Sequence, residues 1–214
     1  MGGVDWTTVS SLATGAGTLV LAVATFASVR SANRATRIAE QSLRENLRPL
    51  LVPSRFDDPK QKIFFQEGRH MLLEGNQGGA ELDNGVIYLG ISLRNSGQGI
   101  AVLHAWQFLA SMDNISDRPG PATFRRQSRD ILIAPGDIGF WQGAIRDIDD
   151  PQYDEAATIT KKGEVFGVDL LYGDDDGGGR IISRMTLRRV GEDPDAHWIT
   201  SVVRHWNIDR PDPR

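Results

Sequence analysis

The pattern of apolar and polar positions divides the chain near residue 30. Residues 7–29 contain no charged side chain, and arginines follow at once. At about 1.5 Å per residue, a helix of these 23 residues would reach roughly 35 Å, enough to cross a hydrocarbon layer of about 30 Å. The pattern therefore predicts an N-terminal tip and transmembrane helix over residues 1–29.

A helical pattern of small and apolar residues continues beyond this run, and Pro49 is expected to end it. Residues 30–48 are therefore predicted to form an arginine-rich juxtamembrane stalk helix. A cleaved signal peptide fits less well, because no Lys or Arg precedes the apolar run.

Positive charge beside a membrane span predicts its orientation. Since arginines follow the run and none precedes it, the N-terminus is expected outside and the C-terminal domain in the cytoplasm, at the cell inner membrane. Two roles stay open for these arginines: contact with an anionic lipid surface, or topology alone. The predicted membrane-surface residues are Arg30, Arg34, Arg37, Arg44 and Arg48.

Small residues are frequent in the predicted span. Ser11 with Gly15, and Ala13 with Gly17, have the small-xxx-small spacing that lets two helices approach closely in lipid. The span is thus either a plain anchor or a self-associating helix, which would make the chain a homo-oligomer through its span and stalk.

After Pro49 the pattern changes to short apolar runs separated by turn residues at intervals of about ten. This pattern, with no helical segment expected after residue 47, predicts a mainly β domain, an antiparallel β-sandwich over residues 49–208 followed by a frayed tail at 209–214. The predicted strands are residues 50–52, 62–66, 70–74, 86–94, 100–112, 123–127, 131–133, 138–144, 164–172, 180–189 and 197–208. Residues 75–79, GNQGG, are interpreted as a flexible turn.

Three short stretches resemble a known group of proteins. They are RNSGQGIA at residues 94–101, YGD with GR at residues 172–174 and 179–180, and RPLLV at residues 48–52. Together with the order of anchor, arginine-rich helix, RPLLV and sandwich, they resemble uncharacterised bacterial single-pass membrane proteins with an immunoglobulin-like β-sandwich. The resemblance implies a fold and a tether, and it brings no catalytic residues.

Charge and composition restrict the partners. The chain has a net charge of −4, and residues 49–214 carry −6 behind a collar of +3 at residues 30–48. An acidic domain argues against nucleic acid as a partner. The chain has no cysteine, which excludes disulfides and thiolate metal sites.

No stretch matches a catalytic, cofactor or metal motif. The aspartates at 174–176 lack the spacing of a calcium loop and are interpreted as a hairpin turn, and Gly97 and Gly99 lack the third glycine and following helix of a phosphate cradle. Trp198 and Trp206 are expected to share one face of the last strand, as core residues or, if exposed, as a partner surface.

These observations favour a membrane-anchored, non-enzymatic binding or scaffold protein that presents its cytoplasmic β-sandwich to an unknown protein partner. Two alternatives stay open. One is a sensor domain for a small molecule or ion, which a deep polar pocket would favour. The other is a membrane-bound hydrolase, which would need acidic residues and histidines to converge at one end of the sandwich.

Overall fold

The computed structural model describes residues 6–175, 179–191 and 195–212. It divides the chain into two compact units, Met1–Asn46 and Leu47–Arg214, and we call the second unit the β domain.

The first unit is a single helix, α1 (Trp6–Asn46), of 41 residues. The predicted continuation of the span into the stalk is confirmed, because α1 runs without a break to Asn46. No Gly or Pro interrupts residues 18–48, which favours one continuous helix. Its stretch Val9–Glu40 contains an 18-residue window with a mean hydropathy of 1.8 and is long and apolar enough to cross a membrane. Length and composition alone carry this assignment.

Hydroxyl groups in the apolar part of α1 are satisfied within the helix. Thr14, Thr18 and Thr25 each donate a hydrogen bond of 2.8–2.9 Å to the carbonyl four residues earlier. Because a lipid environment offers these groups no water, internal bonding lowers the cost of placing them in a span.

The β domain is an antiparallel, sandwich-like body, as the sequence predicts. Its strands are β1 (Leu51–Pro53), β2 (Gln61–Phe64), β3 (His70–Leu73), β4 (Gln77–Asp83), β5 (Val86–Asn95), β6 (Ala101–Leu109), β7 (Arg125–Ile133), β8 (Ile138–Ile145), β9 (Phe166–Gly173), β10 (Ile181–Val190) and β11 (His197–Asn207). Nine of them, counted over the described residues, form one sheet in the order β1-β5-β4-β11-β10-β9-β6-β7, with β8 paired to β5.

The core lies on the inner face of this sheet and is filled by large side chains. Trp106 and Trp141 meet edge to face at 5.3 Å, and Phe166 contacts both Phe108 and Trp198 at 5.2 Å. β5 is buried on both faces, as its continuous apolar pattern predicts. Its inner face joins the main core, and its outer face carries Tyr88.

The β2–β3 hairpin, predicted from the sequence, covers the outer face of β4 and β5. Its Ile63, Met71 and Leu73 pack over glycines, because a Cβ at Gly90 would lie 3.0–3.2 Å from their side chains and one at Gly79 would overlap Met71. The prediction of a flexible turn at 75–79 is therefore wrong for its last part: Gly78 and Gly79 are buried within β4. Their missing side chains permit close packing.

A second helix, α2 (Tyr153–Lys162), contradicts the expectation of no helix after residue 47. Its signals were present in the sequence. Asp154 and Glu155 occupy its first turn, two lysines occupy its last turn, and Gly163 ends it with a left-handed φ of 68°. Its apolar face, at Tyr153, Ala156, Ala157 and Ile159, is buried against the main core.

Two further predictions are corrected. The two short strands expected at 123–127 and 131–133 form one strand, β7, whose pairing with β6 shifts between Ile131 and Arg126. Asp209, assigned to a frayed tail, accepts hydrogen bonds from the backbone N–H of Arg180 at 2.9 Å and from its guanidinium at 2.7 Å. The segment 209–212 thus begins with a fixed residue, and residues 213–214 lie outside the described residues.

Candidate functional site

Two of the three stretches that carry the family resemblance contact the third. The turn after Asn95, and Tyr172, lie against residues 47–53, which we call the leading segment because it joins the end of α1 to β1. β1 pairs with the end of β5, Leu51 opposite Asn95. One residue, Leu47, separates the last residue of α1 from the first backbone group that the β domain holds.

Asn95 holds this segment with its side chain. Its Oδ1 accepts the N–H groups of Leu50 at 3.1 Å and Gly97 at 3.0 Å, and its Nδ2 donates to the carbonyls of Gly99 at 2.7 Å and Ile133 at 2.9 Å. The residue is fully buried. All four hydrogen bonds of the amide are therefore used to fix the turn and the leading segment together.

The glycines of the same turn permit the close approach of the two backbones. The N–H groups of Gln98 and Gly99 donate to the Arg48 carbonyl at 2.9 and 3.3 Å. A Cβ at Gly97 would overlap the Arg48 carbonyl, and one at Gly99 would overlap that of Leu47. The physical role of this glycine pair is packing against the leading segment.

Tyr172 supports the same segment from inside the domain. Its buried hydroxyl accepts the Leu51 N–H at 3.1 Å and lies 2.8 Å from the Ser183 hydroxyl, which lies 2.6 Å from Nδ1 of His205. Burial raises the pKa of Tyr172 to about 12, because the phenolate would lose its hydration. The tyrosine is therefore neutral at physiological pH and can donate one bond while accepting another.

A serine beside an imidazole is also the arrangement of an activated nucleophile. Here Ser183 is fully buried between Tyr172 and His205. A substrate does not reach this hydroxyl in the structure, so the pair belongs to the network that supports the leading segment.

The predicted membrane-surface arginines fall into three groups. Arg30, Arg34 and Arg37 are exposed on α1. Arg44 belongs to α1, but its side chain lies outside the described residues. Arg48 lies in the β domain, where its guanidinium donates to Oδ1 of Asn207. Arg48 is therefore engaged in the fold, unlike the exposed arginines of α1.

The small residues of the span lie open on α1. Ser11 and Gly17 are exposed, and no atom lies within 4 Å of a Cβ built on Gly15 or Gly17. The side chain of Ala13 lies outside the described residues. Association through this face stays a prediction.

The tryptophan prediction is wrong in its geometry. Trp198 and Trp206 are only 8% and 3% exposed, and they pack in different clusters. The register of β10 and β11 shifts between Arg184 and Met185, which leaves Val203 as an extra, unpaired residue of β11. Beyond this bulge the residues that face the main core are no longer the even-numbered ones, so Trp198 and Trp206 point to opposite faces. The exposure that a partner surface at these tryptophans required is not observed.

Trp206 belongs to a polar layer on the outer face of the sheet. The Arg184 guanidinium lies 4.9 Å from its ring and makes two hydrogen bonds of 2.8 Å to Asp169. The same guanidinium donates to the carbonyls of Asn114 and Ile115 at 3.0 and 3.1 Å. The pair thus fixes the loop after β6 over the outer face.

A cavity of about 350 Å³ opens where β4 and β11 separate. Their pairing is limited to two residue pairs at Gln77 and Gly78, and the C-terminal end of α2 lies beside the opening. The cavity combines buried apolar walls with cationic and polar groups. Its polar lining includes Gln77, Glu81, Thr160, Lys161, Arg189 and His197.

Metal-ligating residues do not converge in the part of the chain that the structure describes: no group of three or more His, Asp or Glu residues could hold an ion there. Asp176 lies outside that part. His104 is the extra residue of a bulge in β6, and burial lowers its pKa.

Comparisons with known proteins add little to this description. No protein-family model matches the chain, and no curated protein matches it. A solved structure described as "Crystal structure of protein from Archaeoglobus fulgidus" matches at 9% identity and a TM-score of 0.24, covering 63% of this chain and 94% of that chain. Likeness at this level carries no argument about function.

Proposed function

We propose that this protein is a membrane-anchored, non-enzymatic binding module that presents its β domain to a protein partner in the cytoplasm. The observation that carries the proposal is a helix long and apolar enough to cross a membrane, which precedes a β domain that forms a compact unit of its own.

The proposal places the chain in an inner membrane as a single-pass protein with its N-terminus outside. The arginines that follow the span support this orientation. The immunoglobulin-like character of the sandwich and its kinship to bacterial membrane proteins belong to the same proposal. They rest on the three short stretches, in which Asn95, Gly97, Gly99 and Tyr172 pack against the leading segment.

The β2–β3 hairpin offers the partner surface. Its outer hairpin face consists of Lys62, Phe64, His70 and Leu72, with Phe64 54% and Leu72 55% exposed. The Lys62 ammonium lies 5.0 Å from the centre of the Phe64 ring, and the opposite face of the hairpin is buried, with Ile63, Met71 and Leu73 packed in one cluster with Tyr88 of β5. A rigid face with an aromatic anchor and a cation has the character of a protein-binding surface.

Photo-crosslinking in native membranes tests this function. A photoreactive amino acid at Phe64 should give a discrete crosslinked protein, while the same probe at Leu132, 59% exposed on β7, should not. Equal products at both sites, or none at Phe64, would refute the proposed surface. Separately, a C-terminal fusion to a reporter active only outside the cytoplasm should stay inactive, and its activity would refute the orientation.

The second candidate function is a tethered small-molecule sensor, which the cavity between β4 and β11 favours. Its volume lies in the range of ligand sites, and Lys161 and His197 suit an anionic ligand. Thermal-shift screening of the full chain against small carboxylates and phosphates tests this function. A stabilisation lost in Lys161→Ala would support it, and no stabilised condition would count against it.

A further inference from the structure

Three arginines of α1 lie on one side of the helix. Arg30, Arg34 and Arg37 are spaced by four and three residues, so they project within a narrow sector. At about 1.5 Å per residue they span roughly 10 Å along the axis. They line one lateral groove of the helix together with Phe26, Val29 and Asn33. We call the three residues the arginine stripe.

The stripe lacks carboxylate partners of the kind that six arginines of the β domain have. In the β domain, Arg69, Arg94, Arg125, Arg146, Arg180 and Arg184 each hold a carboxylate. Among the ion pairs of the described residues, none includes a stripe arginine, and all three side chains are exposed. Three neighbouring exposed guanidinium groups on one face can bind the same anion.

From this arrangement we propose that the arginine stripe binds the headgroup of a membrane phospholipid that carries more than one phosphate. Guanidinium groups match phosphate in a bidentate geometry, and several neighbouring groups favour a headgroup with several phosphates over one with a single phosphate. Phe26 and Val29 continue the groove on the side of the apolar run, where they can contact acyl chains. This apolar continuation favours a lipid over a soluble anion or a nucleic acid.

The inference rests on the membrane anchoring proposed above, and it goes beyond it. Topology and general attraction to an anionic surface depend on the number of arginines near the span. A headgroup site depends on their arrangement around the helix.

An exchange of residues that preserves the charge distinguishes a headgroup site from general attraction to an anionic surface. In the variant R34A/A35R/R37A/A39R, two arginines move to the opposite side of α1, while composition and net charge stay the same. The exchange A35T/T36A changes the same turn and leaves the stripe intact, which makes it the matched control. Alkali extraction and helical circular dichroism of each full chain report insertion and folding.

The full chains are reconstituted in phosphatidylcholine nanodiscs that contain minor fractions of cardiolipin and phosphatidylglycerol, and lipids that co-purify after mild detergent extraction are quantified. We expect the wild type and the control to retain cardiolipin over phosphatidylglycerol at equal phosphate. The stripe exchange should lower this retention at least about tenfold, as for the loss of one charge-assisted hydrogen bond or more.

Three outcomes would overturn the inference. Equal retention by the exchange variant would show that charge alone acts. Absence of cardiolipin preference in the wild type, or its complete displacement by inorganic pyrophosphate, would refute a lipid headgroup site. If one of these outcomes is found for a chain that resists alkali extraction, the headgroup site is refuted and the proposed membrane anchoring still stands. Release of the wild type by alkali would refute both the anchoring and the headgroup site.

Discussion

The hydrogen bonds of Asn95 allow a quantitative test of how the leading segment is held. Asn95→Ala removes four of them, and the bonds to the Gly99 and Ile133 carbonyls are buried. A buried polar group left without a partner costs about 1–3 kcal/mol, and a partly hydrated one costs less. We therefore expect a loss of about 3–5 kcal/mol in the free energy of unfolding, a large share of the 5–15 kcal/mol typical of domains.

Denaturant titration of the full chain in detergent micelles measures this loss. Four of the five tryptophans lie in the β domain, so tryptophan fluorescence reports mainly its unfolding. Ser96→Ala is the matched control, because Ser96 is exposed in the same turn, and its effect should stay within about 0.5 kcal/mol. An Asn95→Ala midpoint as close to the wild type as that of Ser96→Ala would refute the structural role assigned to Asn95.

Three further predictions follow from the β domain. Burial raises the pKa of Tyr172 from 10.0 to about 12, so the stability that its neutral hydroxyl contributes is fully present below pH 10 and is lost as the pH rises toward 12. The loss should amount to about 2–3 kcal/mol in the free energy of unfolding. Unfolding curves at alkaline pH should show it in the wild type and not in Tyr172→Phe. Arg184→Leu leaves Asp169 buried without its partner and should cost about 3–5 kcal/mol, while the double variant with Asp169→Leu should recover part of that cost in a double-mutant cycle. Gly163→Ala should lower the thermal midpoint, because φ at Gly163 is 68° and an added Cβ would lie 2.5 Å from Cδ of Arg189; Gly68→Ala, with a similar φ but open space, should have a smaller effect.

Local signals predict much of the fold correctly. The uncharged run and the continuing helical pattern place α1, and β5, β9, β10 and β11 lie within one or two residues of their predicted positions. Each is a run or an alternation of apolar residues with a Gly, Asn or Asp turn beside it. α2 was missed although its charged ends and Gly163 were visible, because the acidic, proline-containing stretch before it reads as a loop.

The other wrong predictions concern positions whose structure is set by contacts between strands that are distant in sequence. Trp198 and Trp206 lie eight residues apart, which in a regular strand places them on one face. The extra residue Val203 reverses that parity, and a bulge is set by the pairing of β11 with β10. From the sequence alone, Gly78 and Gly79 indicate a flexible turn. Position 79 requires a glycine because the side chain of Met71 packs against it, and Met71 belongs to another strand, so the local sequence does not show this constraint.

The sequence by itself determined the unbroken apolar helix, the arginines that follow it and the alternation that makes the rest an antiparallel β domain, because these depend on neighbouring residues. Only the tertiary structure decided what the family-like stretches do. The turn that holds Asn95 and Gly99 lies far along the chain from Tyr172, and their shared contact with residues 47–51 exists only after the strands pair. The candidate site is a product of packing between distant segments, which the local pattern does not encode.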